Sequence, residues 1–119
     1  MRFTDRIVRK LLWGILAASS LLIGQISANI SCSDLTSFAP KDTLIKTTEN
    51  VETGTPHCKV SGVIEKEIKF ELLLPKEWNG RFMMGGGGAY VGSIQNQALA
   101  YGSGPGALDR GYATVGTDT

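Results

Sequence analysis

Four consecutive glycines, Gly85-Gly86-Gly87-Gly88, follow the apolar residues Phe82-Met83-Met84 and precede Ala89-Tyr90-Val91-Gly92. Glycine loses more backbone freedom on folding than any other residue, so such a run ends a strand and demands a loop. Its flanks are Met and Tyr, not the polar residues of a flexible spacer. The run therefore marks a place where bare backbone approaches another group closely.

A row of backbone N–H groups after a strand can bind a phosphate or the oxyanion of a tetrahedral intermediate. A phosphate loop needs Lys-Ser/Thr after the glycines, or the spaced three-glycine dinucleotide fingerprint, and neither is present. An oxyanion loop needs only small residues that admit a carbonyl oxygen, which Gly85, Gly86, Gly87, Gly88 and Ala89 offer. Three uses stay open on these grounds: an oxyanion loop, another ligand loop, or a tight connection. No nucleophile elbow accompanies the glycines, since Ser93 directly follows Gly92 and Ser103 sits between Gly102 and Gly104 without the required spacing. His57 is the single histidine, lies in a polar stretch beside Cys58, and reads as a surface or packing residue. Asp118 is one carboxylate at the end of an expected strand, which by itself does not make a site.

The first 28 residues stand apart. Arg2, Arg6, Arg9 and Lys10 face Asp5 alone, residues 11–24 form a nearly unbroken apolar run, and small residues follow at Ser27 and Ala28. That order describes a secretory signal peptide cleaved after Ala28. The run falls short of the roughly 20 apolar residues of a membrane-spanning helix. Cleavage removes four basic side chains and one acidic one, leaving eight basic against ten acidic. No basic patch remains for nucleic acid or an anionic membrane surface, because Lys66, Lys69 and Lys76 alternate with Glu65, Glu67, Glu71 and Glu77. Cys32 and Cys58 lie in the exported part, a secreted or periplasmic setting, where a disulfide is the default; two Cys and one His are too few for a zinc site.

Residues 29–57 are rich in Ser, Thr, Asn, Asp and Lys. The sequence predicts a short helical turn near 33–37 and then an irregular arm, fastened by the disulfide and not by a core. Asn29-Ile30-Ser31 matches the glycosylation triplet, relevant only in a eukaryotic host. From Cys58 the period becomes two: Ile68, Phe70, Leu72 and Leu74 alternate with Glu67, Lys69, Glu71 and Leu73, as a strand with one buried face requires. Pro75 ends it, and residues 60–64 make a neighbouring strand. Asn79-Gly80 is a turn pair that reverses the chain into residues 81–84, with Trp78 closing the sheet edge. Residues 93–101 are a weak helical candidate, 107–110 one helical turn stopped by Gly111, and 112–117 a strand. Strand, loop, helix and strand in that order point to an α/β unit with a parallel sheet.

Taken together, several segments resemble the amino-terminal part of the tannase and feruloyl esterase family. They are Cys32 with Leu35 after it, Pro56-His57-Cys58-Lys59-Val60-Ser61-Gly62, Ile68-Lys69-Phe70-Glu71-Leu72-Leu73-Leu74-Pro75, Trp78-Asn79-Gly80-Arg81-Phe82 with the glycine loop, and Gly111-Tyr112-Ala113-Thr114-Val115-Gly116-Thr117-Asp118-Thr119. The resemblance implies an α/β-hydrolase fold with a large lid domain, export, and a Ser-His-Asp triad that cleaves small phenolic-acid esters such as those of gallate or ferulate. It implies that Cys32 pairs with Cys58. One oxyanion donor falls by position on the backbone N–H of Gly88 or Ala89, with Gly85, Gly86, Gly87 and Gly92 supporting the loop. Many members carry glycine where Ala89 stands; a backbone donor survives that change.

Family members continue beyond Asp118-Thr119 with Gly-His, then the nucleophile serine, the acid, the catalytic histidine and a calcium site in the lid. This segment offers no positions for them, so no triad residue and no cofactor is assigned to it. The expectation is a signal peptide over 1–28, a polar arm over 29–57 and a truncated α/β-hydrolase domain with an incomplete sheet over 58–119, inactive alone. After signal cleavage no membrane partner is expected. A small exported, disulfide-tied binding module without catalysis is the rival.

Overall fold

The computed structural model describes residues 30–87, 92–100 and 103–119. The expected signal peptide, Asn29, Gly88 and Ala89 lie outside the described residues. Five strands form one sheet: β1 (Thr43–Val51), β2 (His57–Ile64), β3 (Ile68–Pro75), β4 (Phe82–Met84) and β5 (Ala113–Thr117), in the order β1-β2-β3-β5-β4. Three short 3₁₀ helices accompany it: η1 (Cys32–Phe38), η2 (Gln97–Ala100) and η3 (Leu108–Arg110). Among the described residues no helix is long and apolar enough to cross a membrane.

The sheet is mixed. β1, β2, β3 and β5 pair antiparallel, and only β4 and β5 run parallel. The α/β expectation thus holds for one crossover, from β4 through η2 and η3 to β5, and gives way elsewhere to a meander whose short loops allow antiparallel neighbours only. Residues 79–80 do turn the chain, with Gly80 at φ 81°. They do not fold β4 back onto β3, however: β5 is inserted between the two and takes β3's free edge.

The expected irregular arm contains a nine-residue strand. β1 pairs with β2 from Thr43↔Ile64 to Val51↔His57, interrupted by a bulge between Ile45 and Thr47. Its alternation is faint because both faces of this edge strand carry Thr, Lys, Glu and Asn, which leaves ladder hydrogen bonds, not apolar burial, to define it. η1 realises the predicted helical turn. The Cys32–Cys58 disulfide fastens it to β2 with α-carbons 5.6 Å apart.

β3 has two apolar faces where one was expected. Leu73, set among the polar positions by simple alternation, is 4% exposed, whereas Leu72 and Leu74 are only half-buried. The reason is coverage: β3 contacts η3 and β5 contacts η2, so the crossover segment seals the face carrying Leu73 and the fully buried Thr114. On the other face cross-strand neighbours align as Val60↔Leu72↔Val115↔Met84. This face lines an apolar groove of about 430 Å³ with Leu35 and Phe38 of η1 at one end and Phe82 and Met84 at the other. Gly62 lies opposite Phe70, and a Cβ there would sit 2.7 Å from the Phe70 ring, so the glycine lets that ring lie across β2.

Candidate functional site

Trp78-Asn79-Gly80-Arg81 builds the start of the site. The Asn79 side-chain oxygen accepts the Arg81 N–H at 2.9 Å, while its Nδ2 donates to Arg110 O at 2.7 Å. The Asn79 N–H donates to Gly111 O, and the Ala113 N–H to Arg81 O, at 2.9 and 3.0 Å. These bonds fix the entrance of β4 beside that of β5. Trp78 is 61% exposed and spans the turn by donating its indole N–H to Arg81 O at 2.8 Å. Its expected packing at the sheet edge is corrected: the indole is held over the turn by this hydrogen bond and stays largely exposed.

β4 and β5 then run side by side, and the glycine loop leaves from the carboxyl end of β4. Loops at the carboxyl ends of parallel strands are where open α/β sheets bind ligands. The two ends of this loop are tied to alternate carbonyls of one strand. Gly85 N–H donates to Val115 O at 2.9 Å and Gln95 N–H to Thr117 O at 3.0 Å. Alternate carbonyls along a strand are about 7 Å apart, so Gly85 and Gln95 are held close together as a neck. Beyond it, Gln95 pairs with Thr117 in the lane a longer β4 would have filled.

The neck is crowded at Gly85 and open at Gly86 and Gly92. Gly85 is buried, and a Cβ there would lie 2.7 Å from Asn96 Oδ1 and from Gln97 N. Gly86 is exposed with nothing within 4 Å of such a Cβ, and Gly92 has φ 63°. The first glycine is therefore required by packing, and Gly86 leaves its backbone accessible. Gly87 is half-buried. Asn96, absent from the sequence expectations, donates from Nδ2 to Thr114 Oγ1 at 3.1 Å; standing between Gln95 and Gln97, it carried no local signal that set it apart.

The other candidates take structural places. His57 lies in β2, half-buried, with Nδ1 2.7 Å from Thr55 O, in agreement with a packing role. Asp118 accepts the Lys69 N–H at 2.8 Å and pairs with Lys69 Nζ at 3.6 Å, which closes the β3–β5 ladder. At the opposite end of β5 from the loop, the Arg81 Nη1 donates to Tyr112 Oη at 3.2 Å, and the Arg81 and Arg110 guanidinium carbons stand 6.0 and 5.7 Å from the Tyr112 ring centre. Among the described residues there is no cluster of three or more His, Cys, Asp or Glu side chains placed to hold a metal ion.

The family model described as tannase and feruloyl esterase matches residues 52–119. Mono(2-hydroxyethyl) terephthalate hydrolase of Piscinibacter sakaiensis is 45% identical over a match that covers 52% of this chain and 12% of that protein. An uncharacterized esterase of Agrobacterium fabrum is 32% identical over 87% of this chain and 20% of its own length. Among solved structures, an esterase from Aspergillus oryzae superposes with a TM-score of 0.60 at 22% identity, and feruloyl esterase B from the same organism with 0.59 at 21%. Each match covers 73% of this chain and 21% of the other. The chain thus spans about a fifth or less of the length of these relatives.

Proposed function

Because the chain belongs to the tannase and feruloyl esterase family, we propose that it is the amino-terminal segment of an exported serine carboxylic ester hydrolase acting on small esters of aromatic acids. The observation that carries this reading is the glycine loop. It leaves the carboxyl end of a parallel strand, has its neck locked to Val115 and Thr117, and presents unobstructed backbone at Gly86. Its fold is the opening part of an α/β-hydrolase sheet, in which the antiparallel meander precedes the parallel strands.

In this mechanism a serine supplied by the remainder of the protein adds to the ester carbonyl carbon. The carbonyl oxygen takes up the negative charge, and the alkoxy group departs as the alcohol after protonation by the histidine. Water then releases the aromatic acid from the acyl-enzyme. This segment's share is the backbone N–H of Gly88 or Ala89, a hydrogen-bond donor to the oxygen where charge develops. Removal of one such donor costs about 10²- to 10³-fold in rate. Residues 30–119 alone hold no assigned nucleophile and are inactive. The Cys32–Cys58 disulfide supports export, because structural disulfides persist in oxidising compartments.

The test is hydrolysis of methyl ferulate, methyl gallate and mono(2-hydroxyethyl) terephthalate by the full-length protein and by residues 30–119. The full-length protein is expected to release at least one aromatic acid and the segment none. A full-length protein inert to all three esters, or an active segment, overturns the proposal.

A further inference from the structure

A buried acceptor without a partner lies against the first residue of the glycine loop. Asn96 Oδ1 is buried and accepts no hydrogen bond, while the same amide is anchored through Nδ2 to Thr114 Oγ1 at 3.1 Å. Thr114 is 0% exposed, so the anchor lies inside the sheet's covered face. The free oxygen points away from it toward β4: a Cβ on Gly85 would stand 2.7 Å from Oδ1, which places that oxygen against the Gly85 α-carbon. On the loop side, Val115 O takes the Gly85 N–H. Among the described residues the N–H groups of Gly86 and Gly87 have no acceptor.

A buried carbonyl oxygen left without a donor costs about 1–3 kcal/mol, so a donor is needed there in the working protein. The Gly86 nitrogen is two covalent bonds from the α-carbon that Oδ1 touches, and rotation about ψ of Gly85 meets no Cβ.

We propose that Asn96 is the positioning residue of the glycine loop, its Oδ1 accepting the Gly86 N–H in the complete esterase. That bond ties the first peptide of the loop to β5 through Thr114. The start of the loop thereby keeps one geometry while a substrate oxygen is bound. Asn96 touches neither substrate nor reacting atoms. The inference rests on the esterase reading above for its kinetic consequence, but not for its structural one.

The experiment uses the full-length protein and three substitutions. Asn96→Leu removes the acceptor at similar volume, Thr114→Val removes the anchor at similar shape, and Asn96→Asp keeps an acceptor. Hydrogen exchange is read on peptides spanning residues 85–87, alongside kcat and KM for the ester hydrolysed fastest. Asn96→Leu is expected to accelerate exchange at 85–87 and to lower kcat about tenfold, short of the ~10²- to 10³-fold cost of deleting an oxyanion donor itself, with KM within about threefold. Thr114→Val moves both readouts in the same direction by less, and serves where the Asn96→Leu protein does not fold. Asn96→Asp retains the exchange protection. Unchanged exchange at 85–87 in Asn96→Leu and Thr114→Val overturns the proposal, as does a drop in kcat matched by an equal rise in KM. A wild-type protein without esterase activity defeats the proposed function alone, since the exchange measurements still decide the role of Asn96.

Discussion

At the scale of single residues, the motif Trp78-Asn79-Gly80-Arg81 is explained by what its backbone and amide groups hold, and Arg81 in addition acts on Tyr112. The guanidinium hydrogen bond to the phenol, together with the Arg81 charge and more weakly that of Arg110, lowers the Tyr112 pKa below its ordinary value of 10.0. The folded state thus favours the phenolate. Its contribution to stability is present above the ordinary tyrosine pKa and is lost as pH falls through the lowered folded value, so nothing is gained near neutrality. An ultraviolet titration of wild type minus Tyr112→Phe is expected to show phenolate forming at lower pH than free tyrosine. Arg81→Gln moves that midpoint up. An identical midpoint in Arg81→Gln would show that the hydrogen bond at 3.2 Å does not persist in solution.

At the scale of elements, the disulfide and the glycine loop occupy opposite ends of the sheet. η1 rests on β1 and is bound to β2, whereas the loop rises from β4 at the far edge of β1-β2-β3-β5-β4. Cys32 and Cys58 are 26 residues apart, and closing a loop of that length stabilises by about 3 kcal/mol through the unfolded chain. Replacing both by Ser is expected to lower stability by about that amount in chemical denaturation, while ester hydrolysis well below the melting temperature stays within about twofold of wild type. A large loss of activity at full folding would mean that the β1 edge reaches the site. The elements differ in how legible they were. β3, η3 and β5 announce themselves through alternation, a Gly111 with φ 81° at the helix end, and a β-branched run. β1 does not, because an edge strand with two polar faces has no period to read. The β2–β3 turn is equally silent: Glu65 and Lys66 adopt φ 56° and 99° without glycine or asparagine to signal it. The glycine loop was legible as a close approach of backbone, but its neck was not. Its bonds from Gly85 to Val115 and from Gln95 to Thr117, and the Asn96–Thr114 contact, join residues far apart along the chain, which no local pattern encodes.

At the scale of the molecule, the two faces of the sheet differ in coverage. One is sealed around Leu73 and Thr114 by the crossover segment; the other carries Leu72, Leu74, Phe82, Met84 and Val115 along an apolar groove, with Phe82 58% and Met84 60% exposed. Contiguous apolar surface of this kind marks an interaction site or an aggregation liability. In the esterase proposed above, the remainder of the protein covers it. That reading predicts a reversal of sign for one pair of substitutions, Phe82→Lys with Met84→Lys. In residues 30–119 alone, the two lysines replace exposed apolar surface by charge, so they are expected to reduce dye binding to hydrophobic surface and to slow aggregation. In the full-length protein the same positions are covered, and each lysine forfeits about 1.5–3 kcal/mol of apolar burial in addition to the cost of taking a charge out of water. Denaturation of the full-length variant should therefore show a loss of several kcal/mol while the isolated segment becomes better behaved. Equal tolerance in both settings would mean that the groove stays open in the complete protein and that its apolar lining serves a partner instead of the fold.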